Sequence, residues 1–413
     1  MAGMGPGSVT DKASRRLWPL AAEALLARAR RRTGRSDFGE PPVEPALTVL
    51  TRSLDQEADL HPLGRLLIRK RLEELLATRL RLVDAWKRQE RQLLATRIER
   101  PLFITGLPRS GSTFLHELLA ADPGNRAPRV WELMFPLAAR ADIHRPHNPL
   151  IRRTAARLWW IRRLAPDADA VHPLRACSPQ ECETIHSYTF QSEEFLSTCW
   201  VPGYEAWLRA ADFAPVYAWQ RKFLQYLQGP GPAPRWVLKS PDHVNSLGAL
   251  LAVFPDAVIV QTHREPLDVL ASSLRLIEVV HGLFARPGGR ETRARREARV
   301  LAEAVERLLL FRETHPELTN RFIDVRYPEL VNGPLATIGR IYEHWGAPLT
   351  GPAAEAMCLL VSRRSRYPGT RLITNPGPEE VLAAEIHRFS RYAARFGFPA
   401  RPGEASPPLR SES

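Results

Sequence analysis

The residues best placed to do chemistry begin at Gly106. Gly106-Leu107-Pro108-Arg109-Ser110-Gly111-Ser112-Thr113 follows the apolar run PLFIT and precedes FLHELLAAD. The spacing nearly fits G-x-x-x-x-G-K-[ST], a loop whose backbone N–H groups cradle phosphate at a helix N-terminus. Ser112 stands where a nucleotide triphosphatase has Lys, and the cation comes from Arg109 inside the loop. No clear acidic strand end offers a Mg²⁺ partner. The loop therefore reads as a phosphate cradle that does not bridge a metal to a β/γ pair. A plain glycine turn is the competing reading. A second anion site is Arg264, just past AVIVQT, with Ser272 two turns into the following helix. Ligands of open α/β sheets gather at the carboxyl ends of strands. Taken alone, Arg264 also fits an ion pair with Asp268 or Glu265.

Four strand–turn–helix units position these residues. They are PLFIT with its glycine loop, WVLK-SPDH-VNSLGALLAVF, AVIVQT-HREP-LDVLASSLRLIEVV, and RFIDVRY-PELVNGP-LATIGRIYEHW. Strands alternating with helices predict an α/β fold: a P-loop-like, three-layer αβα arrangement around a central, mainly parallel sheet. Residues 1–98 form an N-terminal helical extension, with helices over 45–56 and 60–97 marked by leucines at three- and four-residue spacing. Residues 99–400 form the main domain. Within it, 131–234 is a helical insertion on the acceptor side, rich in Trp and Tyr, and its aromatics are expected in the core before any pocket. Residues 401–413 read as a disordered tail.

On these motifs the chain resembles the sulfotransferases that use 3′-phosphoadenosine 5′-phosphosulfate (PAPS). GLPRSGST looks like the family's 5′-phosphosulfate loop, in the PRSGST form shared with tyrosyl-protein sulfotransferases. REPLDVLAS, from Arg264 to Ser272, looks like its 3′-phosphate motif. RYPELVNGPLATIGRIY looks like the segment whose Tyr contacts adenine, which points to Tyr327. WVLKSPDH followed by FPDAVIVQTHREP is closest to the bacterial branch. The resemblance implies transfer of the PAPS sulfuryl group to a hydroxyl or amine, in line and without metal, releasing 3′,5′-ADP. It implies that Leu107, Pro108, Arg109, Ser110, Gly111, Ser112, Thr113, Arg264, Ser272 and Tyr327 bind the donor. Lys239 matches the lysine that stabilises the leaving phosphate, and Arg109 the loop's basic residue. The base is expected at Glu132, in PRVWELMFP, with His243 second. A salt bridge to Arg129 or another arginine competes for Glu132, and a place beside a helix N-cap competes for His243. The C-terminal R-K-G motif of cytosolic relatives is missing; Arg363, Arg364 and Arg366 are a conceivable substitute, against a solvated basic face.

Composition narrows the alternatives. The chain has 413 residues and carries +13 at neutral pH. Its only lysines are Lys12, Lys70, Lys87, Lys222 and Lys239; every other basic residue is arginine. A small-molecule P-loop kinase is the first alternative, and Ser112 in the lysine position argues against it. An Arg-rich nucleic-acid binder is the second, and its basic residues would form a stripe, whereas these are interspersed with acids. Cys177, Cys182, Cys199 and Cys358 have no paired C-x-x-C spacing, so a disulfide scaffold is not expected. No apolar run reaches the roughly 18 residues of a membrane span. The expected setting is the cytoplasm, with peripheral membrane contact through the basic, amphipathic stretch 15–32 should the acceptor be a lipid or glycolipid. The expected partners are thus a small-molecule or lipid acceptor and no nucleic acid.

Overall fold

The structure is a computed structural model that describes residues 9–142, 148–164, 166–167, 173–229, 233–365 and 384–398. Five strands form its sheet: β1 (Leu102–Gly106), β2 (Asn125–Arg126), β3 (Arg235–Lys239), β4 (Val258–His263) and β5 (Phe322–Arg326). All pairings are parallel, in the order β2-β3-β1-β4-β5. Register places Leu102 opposite Val237 on one side and Val258 on the other, with Gly106 opposite Thr262.

The central strand β1 is buried along its whole length, as a parallel strand covered on both faces requires. Its side chains alternate between two cores. Leu102 and Ile104 join Val237, Val258 and Val260 beneath the helices Ser112–Ala121 and Pro334–Trp345. Phe103 points the other way, toward Trp236, Leu238, Ile259 and the N-terminal helices. From β1 the chain goes to the edge strand β2, returns to β3 beside β1, and then crosses to β4 and β5 on the other side. This makes the carboxyl edge of β1 a topological switch point, where open α/β sheets form their crevice.

The N-terminal helices are Val9–Leu17, Ala22–Thr33, Glu44–Gln56, Pro62–Arg88 and Glu90–Ala95. The helix expected over 60–97 is thus two, parted at Gln89. Arg79 ties this extension to the rest of the chain. Its side chain is fully buried, donates to the carbonyls of Phe38 and Gly39 and to that of Tyr188 (2.8 Å), and lies over the Trp219 ring. Leu25, Leu26 and Ala29 are buried, so the apolar side of 15–32 is used in packing. That removes the face expected to meet lipid.

Residues 131–234 are helical over much of their described length, including Pro149–Leu164, Pro202–Ala210 and Ala214–Gln228. Tyr188, Tyr204, Tyr217 and Trp219 are core residues, whereas Trp159 and Trp160 are exposed. The helix Arg290–Thr314 was not apparent in the sequence. Its dense Arg and Glu mask a stripe of Ala294, Ala298, Leu301, Val305 and Leu308, which is buried. No helix among the described residues is long and apolar enough to cross a membrane. Arg363 is exposed, whereas Arg366 and residues 399–413 lie outside the described set.

Candidate active site

Four strand ends converge on one cavity of about 370 Å³. β1 delivers Gly106 and the loop behind it, β3 delivers Lys239, β4 leads into Arg264, and β5 leads into Tyr327. Parallel strands place their carboxyl ends along one edge, so residues distant in sequence become neighbours by topology alone.

The loop needs its glycines. Gly106 has φ +129°, and a Cβ there would lie 2.2 Å from the Thr262 carbonyl oxygen. Gly111 has φ +91°, and its missing side chain leaves room for the Tyr327 ring, 3.0 Å from where a Cβ would stand. Arg109 also takes the left-handed conformation, with φ +62°. Such a turn aims successive N–H groups into a concavity, and the helix Ser112–Ala121 starts directly after it. The Ser110 hydroxyl is turned inward against Thr262 Oγ1 (2.6 Å), which fastens the loop to β4.

Arg109 and Arg264 stand side by side. Arg109 Nε donates to Ser272 Oγ (2.8 Å), and Arg264 donates to the Arg109 carbonyl (3.0 Å). The guanidinium of Arg264 lies over the Tyr327 ring, 4.4 Å from its centroid, and also pairs with Asp268 at 3.1 Å. Its Nε is buried without a hydrogen-bond partner. Burial, then the Arg264 charge, depresses the Arg109 pKa. Two adjacent guanidiniums, one with an unmet donor, form a site that an anion completes. Ser110 and Ser272 are buried behind this wall and do not line the cavity, so their side chains act by holding Thr262 and Arg109.

Lys239 is 3% exposed. Its ammonium forms an ion pair with Glu181 and reaches Thr113 Oγ1 at 3.4 Å. The Cys182 amide donates to the Lys239 carbonyl (2.8 Å) and so anchors the Glu181 segment to the end of β3. Glu183 and Asp242 line the cavity as well and are hydrogen-bonded to each other. Burial, then the negative charge of Glu181, pushes both carboxyls up, Glu183 well above the usual range.

Neither residue expected as the base reaches the cavity. The Glu132 carboxylate is 1% exposed, accepts from the Arg129 amide (2.8 Å) and pairs with Arg126 at 3.2 Å. It closes a capping box at the start of Val130–Met134, so local backbone donors consume it. His243 is buried on the far side of β3. It contacts Tyr217 Oη through Nδ1 (2.8 Å) and meets Phe103 edge-on. Burial, then the charges of His186 and Lys239, drives its pKa well below the ordinary histidine value. Glu181, which lines the cavity beside Lys239, is not among the residues the sequence singles out. Nothing periodic marks SPQECE, although its acid density was a signal that went unread.

Away from the loop the cavity is walled by two helix faces. Ser273, Leu276, Ile277 and Val280 recur at i, i+3, i+4 and i+7 on the helix Pro266–Gly282. Glu297, Val300, Leu301 and Ala304 do the same on Arg290–Thr314. Each face is one stripe of its helix, polar at one residue and apolar at the next three. The cavity therefore has a cationic end and a body in which these apolar stripes face charged side chains, among them Glu193, Arg209, Asp242 and Arg296. Among the described residues, no three His, Cys, Asp or Glu side chains cluster so as to hold a metal ion.

Comparison with known proteins agrees with this arrangement. The model described as "Sulfotransferase family" matches residues 101–351. The omega-hydroxy-beta-dihydromenaquinone-9 sulfotransferase Stf3 of Mycobacterium bovis is 28% identical over 262 residues. That match spans 60% of this chain and 62% of the relative's length. The solved sulfotransferase STF9 of Mycobacterium avium superposes with a TM-score of 0.82 at 25% identity, covering 96% of this chain and 99% of its own. STF1 of Mycobacterium tuberculosis does so with a TM-score of 0.74 at 28% identity, covering 90% and 98%.

Proposed function

We propose a reaction for this chain, which belongs to the sulfotransferase family: transfer of the sulfuryl group of PAPS to the hydroxyl of a lipophilic acceptor. The observation that carries it is Lys239. Its ammonium stands between the phosphate-type loop, at Thr113, and the Glu181 carboxylate, on the floor of a cavity walled in part by two apolar helix stripes.

PAPS fits the residues present. The loop amides of 106–113 would receive the 5′-phosphosulfate, and Arg264 with its unmet Nε would receive the 3′-phosphate. Tyr327, already at the loop and under Arg264, would stack on the adenine. When bound, PAPS supplies an activated sulfuryl group, whose departure leaves charge on the 5′-phosphate oxygen.

The chain's residues meet that charge. Lys239 and Arg109 hold the developing negative charge of the leaving oxygen, in a buried setting where such contacts count most. Glu181 takes the acceptor proton as the new oxygen–sulfur bond forms. It replaces Glu132 and His243 in that role because it lines the cavity beside Lys239. Glu183, whose carboxyl burial pushes toward its neutral form, stays hydrogen-bonded to Asp242 beside the same space. The leucine, isoleucine and valine faces position an apolar body so that its hydroxyl reaches Lys239. The name of Stf3, a menaquinone-type sulfotransferase, supports an acceptor of that chemical character. Calorimetry with 3′,5′-ADP tests the donor assignment. Binding that falls in Arg264→Ala and needs no Mg²⁺ is expected; binding of Mg-ATP with no response to 3′,5′-ADP would revive a kinase.

A further inference from the structure

The helix Pro149–Leu164 (PLIRRTAARLWWIRRL) stands apart from the site just described. It holds five arginines and no acidic residue. It packs through a narrow stripe: Thr154 and Leu158 are buried and Ile151 is partly so. The opposite side carries Trp160 and Ala156, flanked by Trp159, Arg152 and Arg163, while Arg153 turns its guanidinium over the Phe135 ring, 5.1 Å from its centroid. Trp159 is 50% exposed, Trp160 61% and Ile161 45%. The two indoles meet edge-on at 4.9 Å, so they form one outward apolar unit within a ring of guanidiniums.

Soluble surfaces seldom present paired tryptophans among single-sign charge. Tryptophan settles at the level of lipid headgroups, and arginine keeps its charge in water beside anionic phosphates. The patch also has a neighbour of similar character. Arg157 pairs at 3.0 Å with Glu74 of Pro62–Arg88. Two and three turns along the same face of that helix lie Leu67 and Leu63, both exposed. Beside Leu63, Gly64 abuts the backbone of Phe284, four residues past Val280 of the cavity wall.

We propose that Pro149–Leu164 docks the protein on an anionic bilayer surface, with Trp159 and Trp160 inserted at headgroup depth and Arg152 and Arg163 on lipid phosphates. The charge complementarity of an all-basic helix selects this occupant over a protein partner. The assignment does not depend on which acceptor is sulfonated.

The test is flotation of the full chain with vesicles of phosphatidylglycerol mixed into phosphatidylcholine. Wild type floats with these vesicles, floats poorly with pure phosphatidylcholine, and is released by high salt. Arg152→Ala with Arg163→Ala weakens binding about 25-fold, at about fivefold per arginine. Trp159→Ala with Trp160→Ala abolishes the fluorescence blue shift on vesicle addition. Unchanged 3′,5′-ADP binding and thermal midpoint in both variants show that the fold is intact. Absence of flotation overturns the proposal. So does flotation that survives both variants and is lost on removing residues 1–35, which assigns contact to the N-terminus. A concentration-dependent dimer that the Trp variant dissolves, without vesicle binding, assigns the patch to a second copy and also overturns it.

Discussion

Replacing Lys239 with Met keeps the length of the side chain and deletes its charge. In the folded protein that charge is almost wholly shielded, with Lys239 at 3% and Glu181 at 14% exposure. Two effects follow, and they separate. Deleting a cation aimed at charge developing in the transition state costs about 2.7–4 kcal/mol, or about 10²–10³-fold in kcat. Stranding the buried Glu181 carboxylate costs up to about 3–5 kcal/mol of stability. Lys239→Met combined with Glu181→Gln removes the stranded charge, so most of the stability returns while activity stays lost. The assay is release of 3′,5′-ADP from PAPS incubated with a lipid extract, beside thermal unfolding of wild type, single and double variants. A folded Lys239→Met with activity within about threefold of wild type refutes the assignment, because that is under about 1 kcal/mol.

Further outcomes follow from the same geometry. Gly106→Ala places a Cβ 2.2 Å from the Thr262 carbonyl at a positive φ, so it costs about 2–4 kcal/mol in denaturant unfolding and removes 3′,5′-ADP binding. Ile277→Trp fills the cavity beside its helix walls, raising KM for a lipophilic acceptor about tenfold or more while the Kd for 3′,5′-ADP stays unchanged. Burial raises the Glu297 carboxyl to about 7, against the opposing pull of Arg296. A raised folded pKa gives stability that is complete below the unfolded value and lost as pH climbs through 7. Wild type therefore loses up to about 3 kcal/mol between pH 5 and 8 that Glu297→Gln does not lose, read as unfolding free energy against pH.

The parts that could be read from the sequence are those whose chemistry is local. Gly106 through Thr113, Lys239, Arg264 and Tyr327 each sit where a strand hands over to a turn or helix, and that handover is written in contiguous residues. The parallel sheet then brings all of them to one edge. Glu181 was not readable because its neighbour, Lys239, is far along the chain, and one backbone bond from Cys182 joins them. Glu132 illustrates the converse. Its distance from the loop matched a family pattern, but Arg126 and the Arg129 amide claim its carboxylate. The helix faces that wall the cavity were hidden for a different reason. On Arg290–Thr314 the apolar stripe is narrow and flanked by charge, so average hydropathy misses what a helical projection recovers. Trp159 and Trp160 were expected in the core with the other aromatics, and only tertiary packing separates an outward pair from buried neighbours.

In the proposed reaction the cavity holds a sulfuryl donor at its cationic end and a lipophilic alcohol against its helix walls. Mass spectrometry of a lipid extract incubated with enzyme and PAPS tests both at once. The account predicts a hydroxylated lipid that gains the mass of one SO₃ group, in amounts matched by 3′,5′-ADP released, with neither product formed by Lys239→Met. A sulfonated product confined to the water-soluble fraction, or lipid sulfonation that persists at wild-type rate in Lys239→Met, contradicts it.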